Sequence, residues 1–342
     1  MGQVKIISPG LLTTVQDLGR HGYQQYGVSV SGAMDHVAAR LANIIAGNDE
    51  DDALLEITLI GPKIEFMDNE VIAITGGDLQ PHINDMPVRM YQALEVKKGE
   101  ILSFKGNKKG CRAYLAFAGG IDVPVVMGSR STFLKAKIGG YEGRPLKAGD
   151  ILSIGNPHIP ASKMLGRKTD NFYTYDSGKI RLRVVLGPQD DAFTNRGIET
   201  LFSNEYTVTN KSDRMGYTLN GPLIEHKNGA DIISDGIAMG AIQVPSNGNP
   251  IIMMADRQTT GGYTKIGNVI SVDLPKVAQA KPGDIIVFER IDLKEAQKLY
   301  KQLEDKFKSL KEFLNNNIYR NIKYYNLKIN NKIYDVQVEE IS

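Results

Sequence analysis

A single cysteine stands among the 342 residues, which excludes an intramolecular disulfide and fits a reducing compartment. It lies in CRAYLAFAG, where Cys111, Ala113, Leu115 and Phe117 share one face of an alternating strand, so it reads as a buried structural thiol. No run approaches the roughly 20 apolar residues needed to cross a bilayer. The opening MGQVKIISPG has no apolar core of signal-peptide length, and Ile6 stands where an acylation motif wants Ser or Thr. The expected location is the cytoplasm, with no membrane partner. Charge of either sign is not in excess, 41 basic against 39 acidic residues for a net +2, so nucleic acid is not an expected partner. The five histidines show no metal-ligand spacing, and there is no H-E-x-x-H and no Cys pair, so no metal site is assigned. Asp49 to Asp52 lacks the EF-hand ligand pattern and reads as a solvated turn. A Walker motif and a dinucleotide fingerprint are missing, and GVSVSG at Gly27 to Gly32 fails the nucleophile-elbow pattern by one residue.

What is present is turn chemistry. The 35 glycines and 14 prolines break the chain into short strands, which places it in the mainly β class with some helix. One helix is expected in AMDHVAARLANIIAG, where Met34, Val37, Leu41, Ile44 and Ile45 recur at helical spacing. Ser31 or Asp35 would cap its start and Gly47 would end it. GPKIEF (Gly61 to Phe66) recurs as GPLIEH (Gly221 to His226), and KKGEILSF (Lys97 to Phe104) recurs as KPGDIIVF (Lys281 to Phe288), with a third copy, KAGDILSI, at Lys147 to Ile154. The shared order implies two related β-rich halves, 1–160 and 161–291, the second carrying an insertion around Gly240 to Gly267. The polar region from Asn156 to Lys179 marks the boundary, or a strand-connecting loop. From Asp292 the composition changes: Leu299, Leu303, Phe307 and Leu310 form one face of an amphipathic helix expected to pack on the body, and YNLKINNKIYDVQVEEI reads as a hairpin turning at Asn330 and Asn331. Residues 292–342 are thus a C-terminal helix and hairpin.

Four clusters concentrate reactive side chains. In GAIQVPSNGNPIIMMADRQTTGGYTKIG the apolar run Ile251 to Met254 empties into Asp256, Arg257, Gln258, Thr259, Thr260, Gly261 and Gly262, with Gln243 before and Lys265 after. Two glycines in a bend let backbone N–H groups approach an anion; a tight hairpin with polar tips is the alternative. TVQDLGRHGYQQYGVSVSGAMD supplies Asp17, Arg20 and Asp35 near a helix start, suited to an anionic group or to capping with a surface ion pair. VMGSRST offers Ser129 and Arg130 around a glycine turn, and SDRMGYTLNGP offers Arg214 as an anion clamp or as a structural partner of Asp213.

The four motifs, in their order along the chain, resemble the biotin-dependent carboxyltransferase-like family, which contains the C-type component of 5-oxoprolinase, the Kip-inhibitor antagonist, and the allophanate-hydrolase subunit 2-like part of urea-carboxylase proteins. The resemblance covers about the first 290 residues. It implies cyclophilin-like β-barrel halves and ATP-dependent opening of 5-oxo-L-proline to L-glutamate, together with Kip-inhibitor-like B-type and lactam-utilisation-like A-type partner chains of the 5-oxoprolinase. ATP, with Mg, would be bound by the complex or by this chain. For such chemistry Arg20, Arg214 and Arg257 are the expected anion binders. Asp17, Asp35 and Asp256 join Arg257 as catalytic candidates, as proton carriers or phosphate organisers. Gln243, Gln258, Thr259, Thr260, Gly261, Gly262, Lys265, Ser129 and Arg130 are expected around the substrate. Two alternatives accompany it: biotin-dependent carboxyl or amide transfer of the urea amidolyase type, and a non-enzymatic antagonist that binds a Kip-inhibitor-type kinase regulator. The C-terminal hairpin resembles the opening strands of a biotin carrier, but the Met-Lys-Met acceptor is missing, so no biotin is expected on this chain.

Overall fold

A computed structural model describes residues 2–170, 172–173, 175, 178–316, 322–330 and 332–339. The chain is mainly β, as its turn spacing predicts. Strands up to residue 154 form two sheets. One runs in the order Ile151–Ile154, Gly2–Ser8, Lys63–Phe66, Ile101–Phe104, Pro81–Ile83, Met86–Pro87; the other runs Leu12–Gln16, Leu54–Thr58, Lys109–Phe117, Glu70–Asp78, Ala93–Val96. Their facing side chains, among them Val4, Ile6, Ile57, Ile64, Leu102, Leu115 and Phe117, make one shared core.

The second half is a closed seven-stranded barrel. Its staves follow the order Lys179–Leu186, Lys265–Val269, Ala241–Gln243, Ile251–Met253, Gly216–Asn220, Glu205–Val208, Ile285–Arg290, and the ring closes where the last pairs in parallel with the first. Closure removes sheet edges, and Leu182, Val184, Tyr206, Leu219, Ile252 and Phe288 fill the interior. Among the described residues only this half is a ring; in the first, the two sheets face one another without joining.

Two expectations about the internal echo change. The stretch Gly240 to Gly267 is not an insertion, since three of its strands are barrel staves. GPLIEH forms no strand beyond an isolated bridge from His226 to Phe193, whereas GPKIEF includes the strand Lys63–Phe66. The three K-x-G-[DE] pieces do share a geometry: Gly99, Gly149 and Gly283 all take positive φ in a turn that enters a strand.

The predicted helix is His36–Ala46. Asp35 caps it by accepting the Ala38 N–H at 2.9 Å, and Gly47 ends it at φ 79°. It lies on the outer face of the second sheet, and Leu303, Phe307 and Leu314 of the helix Leu293–Asn316 pack on the same cluster. The expected packing role of that helix therefore holds. Fully burying a side chain such as Phe307 stabilises by roughly 1.5–3 kcal/mol. The hairpin pairs Ile322–Ile329 with Lys332–Glu339 around Asn330, while Asn331 lies outside the described residues. Among the described residues no helix is long and apolar enough to cross a membrane.

A buried ionic network joins the halves. Arg214, from the barrel, donates to Asp256 at 2.9 Å, to the Gly32 carbonyl at 2.6 Å, and to Glu56 on the first-half strand Leu54–Thr58. Glu56 also accepts from the Met34 N–H and the Tyr114 hydroxyl, both at 2.8 Å. Arg112 crosses in the other direction, donating to the Tyr217 hydroxyl and the Ala278 carbonyl at 2.6 Å each. Burial alone would raise the Glu56 carboxyl, but Arg214 and Arg112 outweigh it and hold it below the usual range.

Removing one member of such a network leaves a buried charge unpaired. Arg214→Met is expected to destabilise the protein by about 3–5 kcal/mol in denaturant unfolding; a change within 1 kcal/mol, roughly the value of an exposed pair, would show the network to be unimportant. Asp35 gives a pH test. Burial pushes its carboxyl to about 6 from 3.8, so the folded state holds the proton more tightly. The associated stability is present below about pH 4 and lost as pH rises through about 6, up to about 3 kcal/mol in all. Asp35→Asn keeps the cap and should flatten that part of the stability–pH curve.

Candidate functional site

The loop after the stave Ile251–Met253 carries a buried cation. Arg257 is 7% exposed. Its Nε donates to the Ile237 carbonyl at 2.9 Å and its Nη1 to the Met254 carbonyl at 3.2 Å, and among the described residues it forms no ion pair. Burial brings it down to about 10. A desolvated guanidinium held only by carbonyls gains strongly from an incoming anion.

Two further predicted residues converge on the same short segment. Gln243 pairs in register with Lys265 across neighbouring staves, and its buried Nε2 has no hydrogen-bond partner. Lys265 is 2% exposed, yet its Nζ reaches the half-exposed Asp235 carboxylate at 2.7 Å and the Gly236 carbonyl at 3.1 Å. Arg257, Gln243 and Lys265 thus surround Asp235 to Ile237 with two cations and an unpaired amide donor. Gly261 and Gly262 are not in a bend. Both lie in the extended strand Thr260–Tyr263, which pairs with Asp231–Gly236 as an outer ribbon. Gly261 is needed for clearance, because a Cβ there would come within 2.7 Å of Gln243 Nε2 and of Ile237 Cδ1. Gln258 and Thr260 are exposed, and the Thr259 carbonyl accepts the Ile237 N–H at 3.0 Å.

The N-terminal cluster meets this loop through an intervening strap. Ser29 Oγ donates to the Arg257 carbonyl at 2.7 Å, and the Ser31 N–H donates to the Ala255 carbonyl at 3.1 Å. On its other side the strap accepts the Arg20 N–H at the Val30 carbonyl, 2.7 Å away. Gly32, at φ 85°, has no room for a side chain, since a Cβ would sit 2.8 Å from the Gly19 nitrogen. Arg20 is fully buried; its Nε donates to the Val126 carbonyl and its Nη2 to the Ser131 carbonyl, both at 2.9 Å, while Nη1 has no partner. Desolvation lowers its pKa despite Asp17 and Asp256 nearby. The Asp17 carboxylate accepts from Ser129 Oγ at 2.8 Å, from the Gly19 N–H at 2.8 Å, from the Arg130 N–H at 2.5 Å and from Ser131 Oγ, so it binds the VMGSRST turn to the N-terminal motif. Arg130 itself donates to the Val123 carbonyl at 3.1 Å.

Asp256 and Arg214 are engaged with one another in the network between the halves. The expected alternative pair of Arg214 with Asp213 is not formed: Asp213 accepts the Met215 and Gly216 N–H groups instead. Asp35 stands apart from Arg257, bound to Tyr175 Oη at 2.6 Å and Gln279 Nε2 at 2.8 Å.

This arrangement has known relatives. Residues 26–290 match the family model described as carboxyltransferase domain, subdomain A and B. The chain belongs to the carboxyltransferase A and B family. It is 40% identical over 313 residues to the C-type component of 5-oxoprolinase from Escherichia coli, covering 92% of this chain and 99% of that protein. Against urea amidolyase of Lachancea kluyveri the identity is 36%, over 90% of this chain and 18% of the relative. Among solved structures, urea amidolyase of K. lactis superposes with a TM-score of 0.81 at 34% identity, over 90% of this chain and 20% of that one.

Within this carboxyltransferase-family chain, sequence reasoning overlooked Glu56, Gln189 and Asp235. Asp235 accepts Gln189 Nε2 at 3.1 Å as well as Lys265. Its Asp-Gly context reads only as a turn, and Glu56 sits in a plain strand, so neither carries a local signal. The Asp17 arrangement is directly testable. Asp17→Ala would leave two N–H groups and two hydroxyls without their acceptor, for an expected loss of about 1–3 kcal/mol in thermal or chemical unfolding. An unchanged midpoint would mean water replaces the carboxylate at no cost.

Proposed function

We propose that this chain is the C-type component of an ATP-dependent 5-oxoprolinase, which opens 5-oxo-L-proline to L-glutamate together with A- and B-type partner chains in the cytoplasm. The observation that carries this reading is Arg257, buried and without an ion pair among the described residues, on the Asp235–Ile237 segment that Lys265 also reaches, together with the unpaired Gln243 amide. 5-Oxoproline presents a carboxylate and a lactam amide a few bonds apart. In this reading Arg257 receives the carboxylate in a bidentate pair, Gln243 Nε2 donates to the lactam oxygen, and Lys265 adds positive charge as negative charge develops there. In the same reading Gln258, Thr259 and Thr260, which follow Arg257 in the chain, orient the ring. Arg20, Asp17, Ser129 and Arg130 hold the strap that fixes Arg257 from behind, and Arg214 with Asp256 fixes its other flank.

An unstrained lactam is a poor electrophile, and ATP as co-substrate supplies the activation of its amide oxygen that lets water attack. Likeness to the C-type components of two bacterial 5-oxoprolinases along almost the whole chain supports this choice of substrate. The likeness to urea amidolyase favours a second reading, transfer of a carboxyl group from a biotin carrier on another chain to a small amide. The same cations would serve it, since carboxylated biotin, like 5-oxoproline, carries a carboxylate close to an amide-type carbonyl.

Co-purification of the native complex and assay of glutamate release separates the two. Arg257→Ala is expected to lower release from 5-oxoproline by about 10²-fold, the size of effect seen when one transition-state donor is removed, with the unfolding midpoint retained. Full turnover by Arg257→Ala would remove the assignment. Activity that requires a biotin carrier and leaves 5-oxoproline untouched would establish the second reading.

A further inference from the structure

The outer ribbon, Asp231–Gly236 paired with Thr260–Tyr263, covers the outside of the barrel at Gln243 and Lys265. Ile242 and Ile266 belong to the barrel interior, so Gln243 and Lys265, each one residue along its stave, face outward beneath the ribbon. The staves pair Ile242 with Gly267 and Gln243 with Lys265, which leaves Ile266 as the extra residue of a β-bulge. Bulges re-aim side chains. This one sets Lys265 opposite Gln243, where a regular ladder would place a core isoleucine.

Asp235 and Gln189 hold this lysine at both ends. Asp235 Oδ2 accepts Lys265 Nζ at 2.7 Å and Gln189 Nε2 at 3.1 Å, while its Oδ1 accepts the Gly236 N–H at 2.8 Å. Gln189 accepts the Lys265 N–H at its Oε1, 3.1 Å away, and gives its own N–H to the Lys265 carbonyl at 3.2 Å. Lys265, then the Gly236 N–H and Gln189, hold the Asp235 carboxyl below its usual range. Asp235 also stands in register with Gly261, the residue whose missing side chain leaves room for the Gln243 amide. An ammonium has three N–H donors. Lys265 gives two, to Asp235 and to the Gly236 carbonyl; among the described residues the third is uncommitted, as is Gln243 Nε2. Stability does not account for the arrangement, because a pair with a half-exposed carboxylate contributes little, whereas burying an ammonium to 2% exposure is costly.

We infer that Asp235 is a positioning residue: with Gln189 it holds the Lys265 ammonium beside the Gln243 amide, so that their two uncommitted donors form an oxyanion site for an amide-type carbonyl. Asp235 acts through Lys265 and does not touch the substrate. Among the described residues it is the only carboxylate paired with Lys265, and the other charged side chain bonded to the segment Asp235 to Ile237 is Arg257. The inference rests on the 5-oxoproline reading only in placing the reacting carbonyl at Gln243 and Lys265, and carboxyl transfer would place it there too.

The test has one arm on the full-length chain by itself and one on the native complex. In the first, carbon-13 NMR of lysine-labelled protein, assigned with Lys265→Met, follows the Lys265 ammonium through its titration. Asp235→Asn should lower the pH at which Lys265 loses its proton by about one unit or more, since a carboxylate partner favours the charged form, and Asp235→Glu should restore it. In the second, with whichever of the two reactions the complex catalyses, Asp235→Asn should cut kcat about tenfold and leave KM within about twofold. The alkaline limb of the pH–rate profile should move to lower pH with the NMR titration. A carboxylate that only tied the ribbon down would give faster amide exchange across Asp231–Gly236 and a raised KM, with that limb unmoved; this result overturns the inference. So does an unmoved Lys265 titration or an unchanged kcat. Absence of 5-oxoproline turnover by the wild-type complex would remove the substrate reading alone, because the titration is read without substrate.

Discussion

Arg214 crossing to Glu56 is the contact on which the arrangement of the two halves depends. The guanidinium is buried, and burial alone would discourage its charge; Asp256 and Glu56 outweigh that and hold it firmly protonated. Buried ion pairs contribute little net stability against a well-packed apolar alternative, but they are costly to break and strict about geometry. Here the partners come from the barrel loop before Gly216 and from the first-half strand Leu54–Thr58, so the pair fixes how a ring and a two-sheet body sit together. Arg112 reaching Tyr217 and Ala278 repeats the device in the opposite sense.

That fixed orientation makes the candidate site. The strap Ser29 to Gly32 is first-half chain, yet it hydrogen-bonds the backbone of Ala255 and Arg257 on one side and of Arg20 on the other. Arg214 Nη2 also donates to the Gly32 carbonyl, so the network between the halves and the strap are one continuous structure. Arg257 is consequently held from both halves while, among the described residues, its charge lacks a counterion. A fold tolerates such an unpaired buried cation only where the surroundings over-determine it, and such groups concentrate at functional sites.

Much of the fold is readable in the chain. Helical spacing and capping chemistry locate His36–Ala46, the Leu299, Leu303, Phe307 and Leu310 face locates the last helix, and Asn330 locates the hairpin turn. These features are local, set within one or two turns of chain. The Gly240 to Gly267 stretch shows where local reading stops. Its residue types mark it as special, but nothing within it reveals that three of its strands close a barrel, or that Gly261 exists to clear Gln243. Repetition of GPLIEH misled for the same reason: a similar sequence left without a pairing partner remains a loop.

For the site, composition and motif order bring Asp17, Arg20, Gln243, Arg257 and Lys265 to notice as polar residues in turn-rich surroundings. Which of them are spent on structure is decided in three dimensions. Asp17 accepts four donors and Arg214 is committed to two carboxylates, whereas Gln243 and Arg20 each keep a buried nitrogen without a partner and Arg257 forms no ion pair among the described residues. The sequence alone determined the local elements, because backbone preference and hydrophobic period act over a few residues. Tertiary structure alone decided which charges are paired, because pairing depends on which distant segments the packed core brings within hydrogen-bond reach.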